Sequence, residues 1–157
     1  MNSQYDYGVG IDPSTPQGQW LQADLAANTK RCIVAYWHYP RFSSGMHGSY
    51  SSLKTFWDAL YAAGATIVIN GHDHHYERFA LQAPDGTADA VGGIRQFVVG
   101  TGGAGLYSMS TTLPNSEVRN NTSKGVLKLT LSDGSYTWQF IPVAGASFTD
   151  SGSGTCH

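Results

Sequence analysis

The chain has 157 residues, with 9 Lys plus Arg against 11 Asp plus Glu, for a formal charge of −2. Hydrophobic residues make up 41% and charged residues only 13%, against about 25% charged in an average soluble domain, which excludes a disordered tail. The near-balanced charge excludes a basic nucleic-acid-binding surface, and no apolar run approaches the roughly 18 residues of a membrane span.

Length predicts one domain over 1–157. Residues 1–18 read as irregular, with turn chemistry at 11–16 (IDPSTP). The opening MNSQYDYGVG has neither the basic nor the apolar part of a signal peptide. A helix is expected over 19–28, with Trp20, Leu21 and Leu25 on one face. Residues 31–37 read as a buried strand, β-branched and aromatic. A loop carries His38 and His47. A second helix is expected over 51–63, where Leu53, Phe56, Trp57 and Leu60 recur at helical spacing, and Gly64 ends it. Residues 65–70 form a second buried strand, so 19–75 contains a βαβ unit whose two parallel strands end at the same sheet edge.

From 76 to 146 the pattern becomes antiparallel. Strands are expected at 77–82, 94–99, 126–131 and 136–142, with Gly-rich or polar turns between them. The glycine loop 100–105 does not end in Gly-Lys-Ser/Thr, so it reads as a place for close backbone packing, not a nucleotide-phosphate loop. Residues 108–124 read as a long polar connection, and 147–157 as a tail.

The chemistry concentrates in histidines at strand ends. His72 and His74 stand one residue apart just after the second strand, and His38 follows the first. An extended H-x-H turns both rings to one side. With His38 as third donor this is a metal-binding pattern, and imidazole favours a transition ion such as zinc, iron, copper or nickel over magnesium. His47, on a Ser/Gly loop, is a candidate substrate contact or general acid, or else an exposed loop residue. Asp73 reads as a ligand, a group behind the ligands or a solvated carboxylate, and His75 as pocket wall or a group behind the ligands. Glu77 and Arg78 read as an ion pair, with Arg78 facing phosphate as the alternative; Trp37 and Tyr76 read as core or pocket wall. Cys32 and Cys156, 124 apart, either close one long loop or are unrelated thiols.

The stretches VAYWHYP (34–40) and NGHDHHYER (70–78) resemble the last two metal motifs of the calcineurin-like metallophosphoesterases, in the form found in purple acid phosphatases and their secreted bacterial relatives. QWL (19–21), VVGTGG (98–103) and FTDSG (148–152) resemble further segments of that branch. The resemblance implies an α/β/β/α sandwich, here truncated to a βαβ unit followed by an antiparallel sheet. It implies His38, His72 and His74 as metal ligands, and His47 as the loop histidine that contacts phosphate and protonates the leaving group. Asp73, His75, Tyr39 and Arg78 then stand behind the ligands or against substrate. The family's Gly-Asp and Gly-Asn-His motifs are absent, so the chain is expected to correspond to the C-terminal half of such a domain.

Two functions follow as expectations. One is a compact phosphatase acting on phosphate monoesters through a histidine-dominated site, with one divalent ion (Zn, Fe or Mn) in place of two. The other is a catalytically impaired half-domain that self-associates and binds metal weakly or not at all. Both readings expect a homo-oligomer, because half a domain leaves a strand edge uncovered. The resemblance implies a secreted or periplasmic chain with a Cys32–Cys156 disulfide, and charge and hydropathy lead to the expectation of no nucleic-acid or membrane partner.

Overall fold

A computed structural model describes residues 1–3 and 12–157. The expected turn chemistry at residue 11, and residues 4–11 of the expected irregular segment, lie outside the described residues. Helix α1 spans Pro16–Ala27. The Thr15 side chain accepts from the Gly18 N–H and Pro16 sits at the first helical position, where its missing N–H costs nothing. A 3-10 turn, Ser51–Leu53, leads into α2, Lys54–Ala62. Leu53, Phe56, Trp57 and Leu60 are 0–1% exposed, so the predicted face is the buried one.

Strands β1 (Val34–Tyr36), β2 (Ile67–Asn70), β3 (Tyr76–Phe79), β4 (Arg95–Val99) and β5 (Ser116–Asn120) form one sheet in the order β1-β2-β4-β3-β5. β1, β2 and β4 run parallel, while β3 is antiparallel to both β4 and β5. The expected βαβ unit is present. The strand expected at 94–99 is not a member of a separate antiparallel half: it joins the parallel strands to β3. Strands β6 (Gly125–Ser132), β7 (Ser135–Pro142) and β8 (Ser151–Thr155) form a second, antiparallel sheet. Two segments therefore differ from expectation. The polar connection 108–124 supplies β5, and the expected tail supplies β8.

Alternation along the strands builds two cores. Val68 and Val98 face the helices with Trp37, Phe56, Trp57 and Leu60. Ile67, Phe97 and Tyr76 face the second sheet, against Tyr136, Trp138 and Phe140 of β7. The layers are thus helices, five-stranded sheet and three-stranded sheet. A Cys32–Cys156 disulfide, with Cα atoms 5.1 Å apart, ties the segment before β1 to the end of β8. The parallel strands β1 and β2 both end where His38 and His72 begin, the edge at which open α/β sheets collect ligands.

Candidate metal centre

Three features bring the loops after β1 and β2 together. The Gly71 N–H donates to the His38 carbonyl at 3.0 Å. The Asn70 side-chain N–H group donates to the carbonyls of Trp37 and Tyr39, at 3.1 and 3.3 Å, on either side of His38. His72 has φ +65°, the left-handed region, which a non-glycine residue adopts at a cost of about 1–3 kcal/mol.

That one dihedral changes the expected H-x-H geometry. The segment is not extended, so the two rings diverge. His72 turns toward His38, His47, Tyr39 and Tyr50, with ring centroids 5.1, 4.5, 4.4 and 5.4 Å away. His74 stacks instead on Tyr107, at 4.0 Å and 14°. Its Nδ1 lies 2.7 Å from the Gly105 carbonyl oxygen.

His38 Nε2 and His72 Nδ1 are 3.2 Å apart. Two nitrogens bound at roughly 2.0–2.1 Å to one ion, at tetrahedral or octahedral angles, stand about 2.8–3.4 Å apart. The pair therefore has the spacing of two ligands on one ion. Burial, then the charges of neighbouring His47 and His38, push His72 down to about 4. Burial, then the charge of His74, lowers His38. Both rings are held in the neutral form that a metal requires. Among the described residues, however, no three His, Cys, Asp or Glu side chains are placed to hold an ion together. The donor set fits a divalent ion as a pair, with His74 set apart.

The groups behind the cluster are buried and organised. Asp73 is fully buried, not solvated. Its carboxylate accepts from the Ser43 hydroxyl and, at 3.0 Å, from the His47 N–H, so it fixes the loop that presents His47. His75 is fully buried, with Nε2 3.1 Å from Glu77, and it touches no part of the histidine cluster among its ring and hydrogen-bond partners. Glu77 also accepts from the Ser44 N–H and the Ser116 hydroxyl. Burial raises the Glu77 carboxyl, but hydrogen bonds from His75, Ser116 and Ser44 outweigh it and leave it below the ordinary range.

Arg78 corrects its expectation twice. Neighbouring strand residues point to opposite faces, so it cannot pair with Glu77. It lies between the sheets, bonded to Asp150 at 2.7 Å and to Glu117, away from the histidines. Tyr39 stacks on Tyr50 at 4.7 Å, and together they wall His72. Asn70, Tyr50 and Tyr107 belong to the site and were missed. Asn70, immediately before the Gly-His pair, was the one with a local signal. The glycine loop packs closely only at its first residue, where a Cβ on Gly100 would stand 2.0 Å from the Asp73 carbonyl oxygen; Gly102, Gly103 and Gly105 face open space, against the expectation of close packing along the loop.

No family model matches the chain. Among curated proteins, Arabidopsis thaliana purple acid phosphatase 22 is 32% identical over 134 residues, which cover 79% of this chain and 30% of that protein. Purple acid phosphatase 15 of the same plant is 38% identical over 77 residues, covering 45% of this chain and 14% of that protein. Among solved structures, purple acid phosphatase PPD1 from yellow lupin (Lupinus luteus) seeds superposes with a TM-score of 0.81 at 18% identity, over 92% of this chain and 29% of that one. GAP50, the anchor in the inner membrane complex of Plasmodium, superposes at 0.63 with 19% identity, over 83% of this chain and 39% of that one.

The fold is that of the calcineurin-like metallophosphoesterases. Within that class the chain is a homologue of the purple acid phosphatases. It spans less than a third of the length of the curated relatives it matches.

Proposed function

We propose that the chain is a compact, metal-dependent phosphoesterase acting on phosphate monoesters. The observation that carries this reading is the His38–His72 pair: neutral imidazoles 3.2 Å apart at the carboxyl ends of two parallel strands. His38 and His72 would hold a divalent ion (Zn, Fe or Mn), and His74, in the orientation its contacts with Gly105 and Tyr107 give it, would offer Nε2 as a further donor. Such an ion supplies Lewis-acid polarisation of a phosphoryl oxygen. His47, which Asp73 holds over His72, donates a proton to the leaving oxygen. Tyr39 and Tyr50 close one side of the site against water. Arg78 is not assigned a role in it.

The chain acts as a homo-oligomer in this reading. β1 is paired on one side only among the described residues, and Tyr36 on it is 71% exposed beside a half-exposed Trp20. The disulfide favours an oxidising compartment, secreted or periplasmic. Among the described residues no helix is long and apolar enough to cross a membrane.

A second reading, a non-catalytic half-domain, is favoured by the absence of a three-donor group among the described residues and by the anchor named among the structural relatives. One experiment separates the two. p-Nitrophenyl phosphate turnover is measured with added Zn²⁺ or Mn²⁺, after chelation, and in His72→Ala, with metal per chain and mass by light scattering on the same sample. The phosphoesterase reading expects turnover that both chelation and the substitution bring to background. Turnover indifferent to both, or none in the loaded protein, sinks it.

A further inference from the structure

The glycine loop contributes a residue that neither the motifs nor the cluster around His72 accounts for. Tyr107 meets His74 in three ways. Its ring lies flat on the imidazole at 4.0 Å and 14°. Its N–H donates to the His74 carbonyl at 3.0 Å. Two residues earlier, the Gly105 carbonyl oxygen receives His74 Nδ1 at 2.7 Å.

A carbonyl oxygen only accepts, so Nδ1 carries the proton and the neutral ring's lone pair is on Nε2. That nitrogen has no hydrogen-bond partner among the described residues. A histidine that gives its far N–H to a backbone carbonyl is the arrangement in which a metal-binding ring is oriented and its tautomer set.

The loop is held along its length by Lys124 Nζ on the Gly103 carbonyl at 2.9 Å and by Thr101 bonded to Gly125, but none of these contacts reaches the His74 ring. Side-chain positions at Gly102, Gly103 and Gly105 have nothing within 4 Å. The loop is fixed at its ends, where Gly100 packs on Asp73 and the Asn121 side chain donates to the Tyr107 carbonyl at 2.9 Å. Tyr107 also touches the His47 ring edge-on at 5.4 Å, so it links the candidate proton donor to His74.

We propose that Tyr107 is a positioning residue for His74, fixing it as an Nδ1–H imidazole whose free donor is Nε2. The inference rests on the divalent-ion reading above, and its donor role is stated toward that ion. It acts through ring stacking, so the Tyr107 hydroxyl is dispensable.

Two readouts test this on the full chain. In metal-free, ¹⁵N-labelled protein, long-range ¹H–¹⁵N correlations report the His74 tautomer. Wild type and Tyr107→Phe should show a single Nδ1–H form, and Tyr107→Ala should shift toward Nε2–H, the form free imidazole side chains prefer. In Co²⁺ titrations followed by visible absorption, Tyr107→Ala should bind about 10–100-fold more weakly, the usual cost of losing a group that orients a ligand, while Tyr107→Phe should match wild type. An unchanged tautomer in Tyr107→Ala, or Co²⁺ binding as tight as wild type, overturns the positioning role. Failure of wild type to bind Co²⁺ overturns the metal reading and the donor role with it, whatever the tautomer.

Discussion

His72 sits where two demands compete. Its positive φ costs local energy, yet it swings the imidazole onto His38 and packs it edge-on against the stacked Tyr39 and Tyr50. Left-handed non-glycine residues persist only where surrounding structure over-determines them, and they gather at functional sites. The neighbouring turn has its own requirement. Gly100 donates its N–H to the His75 carbonyl at 3.1 Å, and a side chain there would overlap the Asp73 backbone. Gly100→Ala must therefore push the 72–75 turn away from β4. A loss of about 1–3 kcal/mol is expected, as for other overpacked positions, read as a lower urea midpoint. Because the turn carries His72, the His38–His72 contact should loosen as well, visible as altered imidazole resonances. A midpoint equal to wild type would mean that the turn is free to move. The sequence made His38, His47 and His72 visible because strand ends and histidines are both local signals. The parting of His74 from His72 goes with tertiary contacts: His72 packs on His38, His47, Tyr39 and Tyr50, and His74 on Tyr107 and Gly105, which no local spacing encodes.

At the level of elements, β8 shows how composition conceals structure. SGSGT has almost no strand propensity, so a tail was the natural reading. The strand forms because Gly152 and Gly154 lie opposite Trp138 and Tyr136, where a Cβ would stand 2.4 and 2.5 Å from the ring atoms. The bare strand is what lets two aromatic rings lie against it. β5 was hidden similarly: SEVRN is polar except at Val118, and its Ser116 and Glu117 bond Glu77 and Arg78. Just before β8, Asp150 pins the sheets together. Its Oδ2 accepts from Arg78 Nε, Tyr76 OH and Trp138 Nε1 at 2.7, 2.7 and 3.1 Å. Burial raises this carboxyl, but the hydrogen bonds from Arg78 and Tyr76 and the Arg78 charge outweigh it and hold it below the ordinary range. Asp150 and Glu77 therefore bind protons less tightly folded than unfolded. Their stabilisation is complete above the unfolded values of about 4 and is lost as pH falls through the lower folded ones. His72 adds an earlier component: lowered to about 4 from an unfolded value near 6.5, it penalises the folded state increasingly across that interval. The urea midpoint should thus decline gently below about pH 6.5 and steeply below about pH 4. Asp150→Asn should start lower at neutral pH and fall less steeply in acid. A midpoint level from pH 7 to pH 3 would refute the assignment.

For the whole molecule, the question is what holds two sheets together when the chain spans so little of its relatives' length. Apolar contact supplies one part, through Phe97, Tyr76 and Ile67 against Trp138 and Phe140. The Cys32–Cys156 bridge supplies another. It closes a separation of 124 residues and joins the segment before β1 to the end of β8, the last strand of the second sheet. In the chain-entropy picture a loop of that length is worth about 4–5 kcal/mol. Domains of ordinary size have only about 5–15 kcal/mol in total, so the bridge would account for a large share. Reduction should therefore lower the urea midpoint sharply, and Cys32→Ser with Cys156→Ser should match the reduced protein, not the oxidised one. The acid-sensitive Asp150 link and the disulfide both cross the same interface, so their losses should couple: the double serine variant is expected to unfold at a higher pH than wild type. Equal midpoints with and without reductant, at neutral pH and in acid alike, would show that apolar packing between the sheets is sufficient and that the bridge contributes nothing to equilibrium stability.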